Sequence, residues 1–401
     1  MINLYDNFIA FVPPNAFAAI QSAHPTSVQI YLDYNLIEHV DPDAFSGIED
    51  TLGYLDLSGN RLTTLPSALV KLTNLDSLFI YDNLFKTFDA SIMSHLGQSI
   101  TDLEFSLDNF TTWPQELQYL QKLKSTFIYG LEHLIPIPSN AFQGLESSLK
   151  QLYVDGLYPV PESLFSLRNL EYLSFSWYTG EQRYFEFGNY TKTLPSLTTL
   201  DFNSLYLPTL PDVFRYFPAI EHLYVYGAEL VDIPENAMPI NSNLKVLSLT
   251  NNSLTSIPRA LSNLHRLKEL DLNENKIFAL GSSDLKGMGN LRKLILGSML
   301  TRIDDTAFMH APNIEELSYG GPIGIPRAVM TLLNLKHLDL IYINENHPTL
   351  CTCQMNYLKG WDVTNITIPY LCPVYQGQPA GYNTEQGRSV QEYILHDLIK
   401  C

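Results

Sequence analysis

The chain has 401 residues, 45% of them apolar and only 16% charged, which excludes a mainly disordered protein. Acidic residues outnumber basic ones by 42 to 24, a formal charge of −18 that argues against nucleic acid or an anionic membrane surface as partner. No run of 18 apolar residues occurs, and the start carries Asp6, Pro13 and Pro14 without a basic stretch, so neither a membrane span nor a signal peptide is expected in this sequence.

The first residues already carry the pattern that fills most of the chain. Ile2, Leu4, Asn7, Ile9 and Val12-Pro13 stand in the same places as Leu247, Leu249, Asn252, Leu254 and Ile257-Pro258, where LKVLSLTNNSLTSIP (residues 244–258) spells the unit in full. Apolar residues at every second place describe a short strand with one face in a core. The Asn stands where the chain turns off that strand. Its amide can bond backbone groups of neighbouring coils that would otherwise go unpaired. One unit cannot bury its own apolar side and needs a copy above and below. Because the pattern is already running at residue 2, a covering N-terminal cap and any export signal are expected to lie outside this sequence.

About fifteen apolar pairs follow one another, from Ile2/Leu4 through Leu55/Leu57, Leu103/Phe105, Leu173/Phe175 and Leu247/Leu249 to Leu338/Leu340, at spacings of 21 to 28 residues. The turn Asn recurs at Asn7, Asn35, Asn60, Asn83, Asn252 and Asn275. With L-x-x-L-x-L-x-x-N-x-L at this period, the chain resembles the leucine-rich repeat family over residues 1 to about 345. The resemblance implies an α/β solenoid: a curved right-handed horseshoe of about fifteen repeats with short parallel strands on its concave face.

Two kinds of outer segment follow the strands. One begins with Pro and carries leucines three apart, as in Pro66-Leu69-Leu72-Leu75, Pro114-Leu117-Leu120-Leu123, Pro161-Leu164-Leu167-Leu170 and Pro258-Leu261-Leu264-Leu267, which predicts a short helical or 3₁₀ turn. The other carries N/D-A-F or a relative, with Phe17, Phe45, Phe142, Met238 and Phe308 as expected core plugs. The eighth unit differs. Residues 177–193, WYTGEQRYFEFGNYTKT, form an aromatic insertion that reads either as a packing variation or as a functional loop.

Places between and after the two core residues of each strand point to the solvent face. Tyr31, Phe79, Tyr81, Phe127, Tyr129, Tyr153, Trp177, Tyr224 and Tyr226 are assigned there, with Asp56, Glu104, Asp201, Asp271 and Asp339 in the units between. Aromatic pairs in alternate units would then recur about every 10 Å, with acids between. In leucine-rich repeat proteins this concave face usually binds, and Tyr buries much area while keeping a hydroxyl to satisfy. Aromatic plus acidic favours a protein or peptide with basic or apolar contacts. The alternative is that the rings merely cover neighbouring strands and each other.

All four cysteines fall at the end: Cys351, Cys353, Cys372 and Cys401. The arrangement L-C-x-C-x₄-L-x₂-W, with Cys372-Pro373 and a final Cys401, resembles the cysteine-flanked C-terminal cap of extracellular leucine-rich repeat proteins. Residues 1–345 are accordingly assigned to the solenoid and 346–401 to the cap. The resemblance implies Cys351–Cys372 and Cys353–Cys401 disulfides; the sequence alone leaves three pairings open, and a four-cysteine zinc site is the competitor. Met355, Leu358 and Trp361 share one helical face that could cover the last coil, and Val390, Tyr393, Ile394 and Leu398 mark a second amphipathic helix. The long stretch 374–387, rich in Gly, Gln and Tyr, departs from the usual cap.

Disulfides would place the chain in an oxidising compartment, outside the cell or at its surface. Four N-glycosylation sequons, at Asn109, Asn189, Asn251 and Asn365, are about what chance supplies. Asn189, in the insertion, is the best candidate; Asn251 is assigned to the binding side, where a glycan would obstruct. No Walker A loop, H-E-x-x-H or G-x-S-x-G occurs, and Gly287-Met288-Gly289 continues as Asn290-Leu291-Arg292, which breaks the dinucleotide pattern. Neither enzyme activity nor a cofactor or metal is expected. The function expected is recognition by the outer part of a receptor-like or adhesion protein. A secreted matrix or self-assembling protein, an intracellular scaffold and a secreted inhibitor are the alternatives.

Overall fold

The computed structural model describes residues 1–20, 28–130, 135, 137–156, 160–177, 185, 187–341, 353–368 and 390–397. Its dominant element is a fifteen-stranded sheet whose strands follow chain order. They are β1 (Ile2–Asn3), β2 (Val28–Tyr31), β3 (Leu52–Asp56), β4 (Ser77–Phe79), β5 (Asp102–Ser106), β6 (Ser125–Tyr129), β7 (Gln151–Asp155) and β8 (Tyr172–Ser176). They continue as β9 (Thr199–Asn203), β10 (His222–Tyr226), β11 (Val246–Ser248), β12 (Glu269–Leu272), β13 (Lys293–Leu296), β14 (Glu316–Gly320) and β15 (His337–Ile341). Each strand of the expected count is present, and the parallel sheet is that of the expected solenoid.

The chain forms two compact units, 1–200 with 215–219, and 201–214 with 220–401. In the first, parallel pairing holds Leu55, Leu78, Leu103, Thr126, Leu152 and Leu173 at one level. The register slips once, between β2 and β3, where Val28 faces Leu52 but Gln29 faces Tyr54. In the second unit Leu223, Leu247, Leu270, Leu294, Leu317 and Leu338 form the same kind of row. Each of these rows is buried, because an in-register parallel sheet stacks identical apolar places on one another.

The turn asparagines tie coil to coil. Asn60 donates from Nδ2 to Leu57 O and, in the preceding coil, to Leu32 O, both at 2.9 Å, while its Oδ1 accepts from Ile37 N at 2.9 Å. Asn252 does the same with Val225 O at 2.7 Å and Leu249 O at 3.0 Å, its Oδ1 serving the N–H groups of Ala228 and Leu230. These bonds satisfy backbone groups that the sheet leaves over at the turn.

The outer segments divide as their sequences dictate. Ser67–Lys71, Gln115–Tyr119, Glu162–Ser166 and Arg259–Asn263 are 3₁₀ turns, each led by its Pro, whose fixed φ suits the first position. Phe17, Phe45, Phe142, Met238 and Phe308 are all buried plugs. The described part of the insertion is packed inward: Phe185 lies 5.0 Å from Phe175, Phe187 lies 5.4 Å from Phe217, and the Tyr190 hydroxyl donates to Val160 O at 2.7 Å.

After β15, a 3₁₀ segment Cys353–Leu358 buries Met355 and Leu358. Thr367 then lies along the last strand, accepting from Leu338 N at 2.9 Å. A short helix Val390–Glu392, continued as a π turn Tyr393–Asp397, buries Val390 and Ile394, and Gln391 Nε2 donates to Val363 O. Cys351, Cys372, Cys401, Leu398 and the stretch 374–387 lie outside the described residues, as does the side chain of Cys353. No helix among the described residues is long and apolar enough to cross a membrane.

Candidate functional site

On the side of the sheet away from the core, the first unit presents three in-register columns. Tyr31, Asp56, Phe79, Glu104, Phe127, Tyr153 and Ser174 face one another in sequence along the middle column. Tyr81 and Tyr129 lie two residues beyond Phe79 and Phe127, on the same face by the two-residue alternation. The rings form two runs. Tyr31 meets Tyr54 at 4.8 Å and Tyr54 meets Phe79 at 5.0 Å. Tyr81 meets Tyr129 at 4.8 Å, Tyr129 stacks on Phe127 at 3.9 Å, Phe127 on Tyr153 at 5.6 Å, and Tyr153 meets Tyr172 at 4.8 Å.

Phe79 and Phe127 stand in alternate strands with Glu104 between, as expected, but the rings do not keep a spacing of about 10 Å: Tyr81 and Tyr129 approach to 4.8 Å. Tyr81 and Tyr129 lean together over β5, whose Glu104 and Ser106 leave them room, and the Tyr129 hydroxyl donates to Glu104 Oε2 at 3.1 Å. The rings cover one another as cross-strand pairs do, and Tyr31, Phe79, Tyr81, Phe127, Tyr129 and Tyr153 are each half-buried. Tyr54 and Tyr172 were missed because only places between and after the core pair were read. The place before the pair faces the same way, and an aromatic there was the signal.

Three carboxylates lie among the rings. Burial pushes Asp56 up from the ordinary carboxylate range, and repulsion from Asp33 adds to the rise, against hydrogen bonds from Ser58 N at 2.9 Å and a long one from the Tyr54 hydroxyl at 3.5 Å. Burial also raises Glu104, with Asp56 and Asp102 repelling it. Asp33, 9% exposed, is raised by burial too, and its Oδ1 accepts no hydrogen bond. Desolvation is the leading cause of upward shifts at Tyr54 and Tyr81 as well, each reinforced by Asp56 and Glu104.

In the second unit the sheet face is more mixed. Tyr224 is half-buried and Tyr226 is 43% exposed. Burial raises Tyr224, with Glu269 and Asp201 adding to the shift. Tyr224, Ser248, Asp271, Glu269, Lys293 and Ile295 help line a hollow of about 180 Å³. Burial raises Asp271 while Lys293 draws it back, and Lys293 also pairs with Glu316 at 3.4 Å. Trp177 falls on the core parity of its strand, two residues after Phe175. It is half-buried with its indole N–H sealed from water, so it is not a member of the ring rows.

Among the sequons, Asn365, Asn189 and Asn251 are exposed. Asn189 Oδ1 accepts from Arg215 at 3.2 Å. Asn109 spends its Nδ2 on Asn83 O at 3.1 Å, in the manner of the turn asparagines. Asn251 has a left-handed φ of 55° and stands in the turn beyond β11, beside Glu229 and Glu274 rather than among the strand side chains. Among the described residues no group of three or more His, Cys, Asp or Glu is placed to hold a metal ion.

The profile of the leucine rich repeat family matches residues 28–85 and 226–277. The chain is 28% identical over 174 residues to leucine-rich repeat-containing G-protein coupled receptor 5 of Rattus norvegicus, covering 41% of this chain and 19% of the relative. It is 27% identical over 149 residues to podocan of Mus musculus, covering 34% of this chain and 24% of that one. The match thus spans less than a quarter of either relative's length. A solved structure, the crystal structure of a TLR13–ssRNA13 complex, superposes with a TM-score of 0.55 at 19% identity, covering 84% of this chain and 63% of that one. The profile thus finds leucine-rich repeats at 28–85 and 226–277, and the fifteen in-order strands with Asn ties between coils are the fold of a leucine-rich repeat solenoid.

Proposed function

We propose that the chain is a non-catalytic recognition module that binds a protein or peptide on the ring-and-acid face of β2–β8. The carrying observation is the two runs of touching, half-exposed rings from Tyr31 to Tyr172, interleaved with carboxylates. Neighbour contacts hold each ring in place before a partner arrives, so docking costs little further side-chain entropy. Tyr and Phe supply the buried area of a hot spot, and the acids set orientation and association rate. On the second unit's face Asp201, Tyr224, Tyr226 and Asp271 are a secondary contact area in this reading.

The reading extends to location: the outer part of a receptor-like or adhesion protein, with Cys351 paired to Cys372 and Cys353 to Cys401, and sugar on Asn189 or Asn365. Similarity to a receptor and the cysteine arrangement support it. A non-reducing peptide-mass map of the protein from its own cells tests it; four free thiols and bare sequons would remove the extracellular reading. The face is tested by selecting random displayed peptides on the chain and measuring each binder against Tyr81→Ser/Tyr129→Ser. Loss of binding by about tenfold or more is expected, as for removal of aromatic anchors. Binders indifferent to that pair would place recognition elsewhere.

A further inference from the structure

Resting on that recognition reading, the structure assigns the partner a charge: we propose that the face of β2–β6 receives an arginine or lysine side chain of the bound protein, held over the rings and against Asp33, Asp56 and Glu104.

The first observation is a charge with no counterpart. None of the outward positions on β2–β8 is Lys or Arg, while Asp56, Asp102 and Glu104 occupy such positions and Asp33 stands two residues beyond Tyr31 at the same parity. The described ion pairs of the first unit, such as Lys71–Asp43 and Lys150–Glu171, lie on other surfaces and involve none of these acids. Every charge acting on Asp56 and Glu104 from a neighbouring acid is repulsive.

The second observation is independent of the count of acids. Asp33 is more than nine-tenths buried, its Oδ1 has no hydrogen-bond partner, and it stands two residues beyond Tyr31, which faces Asp56, on the outward parity, with its charge acting on Asp56 and Tyr54. A buried carboxylate oxygen without a hydrogen bond costs free energy that an arriving cation restores, although the carboxyl keeps a backbone hydrogen bond. The third observation is the shell. Ring faces attract cations, and Tyr31, Tyr54 and Phe79 on one side and Tyr81 and Tyr129 on the other flank the acids. The second unit's face supplies the contrast: there Lys293 already answers Asp271 and Glu316. A carboxylate or phosphate partner is repelled at β2–β6, and a neutral apolar one leaves Asp33 uncompensated.

The test uses the full chain and random dodecapeptides on display, with Asp56→Asn and Glu104→Gln as charge variants that each keep one acceptor oxygen, and thermal melts to show that each folds. Enrichment of Arg or Lys among the binders is expected. Replacing the enriched Arg with citrulline, or using either charge variant, should weaken binding by about tenfold. Binders lost on Tyr81→Ser/Tyr129→Ser but neutral in charge and indifferent to the charge variants would overturn this inference and leave the recognition reading standing. If no binder responds to the tyrosine pair, the recognition reading falls and this inference with it.

Discussion

Asn60 shows how much a single polar side chain carries in a repeat. It is buried, and it serves a donor in one coil and acceptors in two. Asn60→Ala leaves Ile37 N–H unpaired, while Leu32 C=O keeps its bond from Asn35 Nδ2 at 3.1 Å, so a loss of about 2 kcal/mol is expected in urea melts. A loss below about 0.5 kcal/mol would mean that water replaces the amide without cost. Asp56 makes the opposite prediction. Its folded-state pKa is raised, so the folded chain holds that proton more tightly than the unfolded one, and stability falls as pH rises from the ordinary carboxylate value through the raised one. Asp56→Asn removes this penalty while keeping the acceptor for Ser58 N. The variant should melt above the parent at pH 7, and the gap should close as pH falls toward about 4. A gap that ignores pH would assign the effect to packing.

At the scale of the element, each coil with an N/D-A-F segment is closed by one plug. Phe45 is 2% exposed and stacks on Phe17 at 5.8 Å, so it joins the first two coils. Phe45→Ala should cost about 3–5 kcal/mol by calorimetry or urea, the transfer loss plus a cavity that in-register neighbours cannot collapse. The equally apolar Leu333 is 91% exposed, and Leu333→Ser should change stability by no more than about 0.5 kcal/mol. Similar costs at the two sites would contradict the assignment of the N/D-A-F segments as plugs. The Pro-led turns work by a different device. There the leucines pack in at every third place and Pro presets the entry, which is why these segments are short 3₁₀ turns rather than helices.

At the scale of the whole molecule the formal charge of −18 dominates. Surface acids repel one another at low salt, where the Debye length is about 30 Å at 0.01 M, and are screened at 0.1 M, where it is about 10 Å. The melting temperature at pH 7 should therefore rise with sodium chloride over that range, and the rise should vanish near the isoelectric point of about 4.9. A salt-independent melt at pH 7 would show that the charges are spread too widely to matter.

Much of the architecture was legible because the information is local and repeated. Leu247, Leu249 and Asn252 mark a strand and its turn within six residues, and copies at 21 to 28 residues leave no other way to bury the apolar side than stacking in order. The same local logic identified Phe45 and its relatives as plugs, Pro66 and its relatives as turn starters, and most outward residues of the face. What only the tertiary structure decided is which outward side chains meet. Tyr54 and Tyr172 joined the ring runs, Tyr81 crossed β5 to reach Tyr129, and Trp177 fell out, because these outcomes depend on register and on the size of the side chain in the strand between. The raised carboxylates of Asp33, Asp56 and Glu104 belong to the same class. Each is an ordinary acid in the sequence; burial by neighbours from other coils, with no base on the shared face, is what sets them apart.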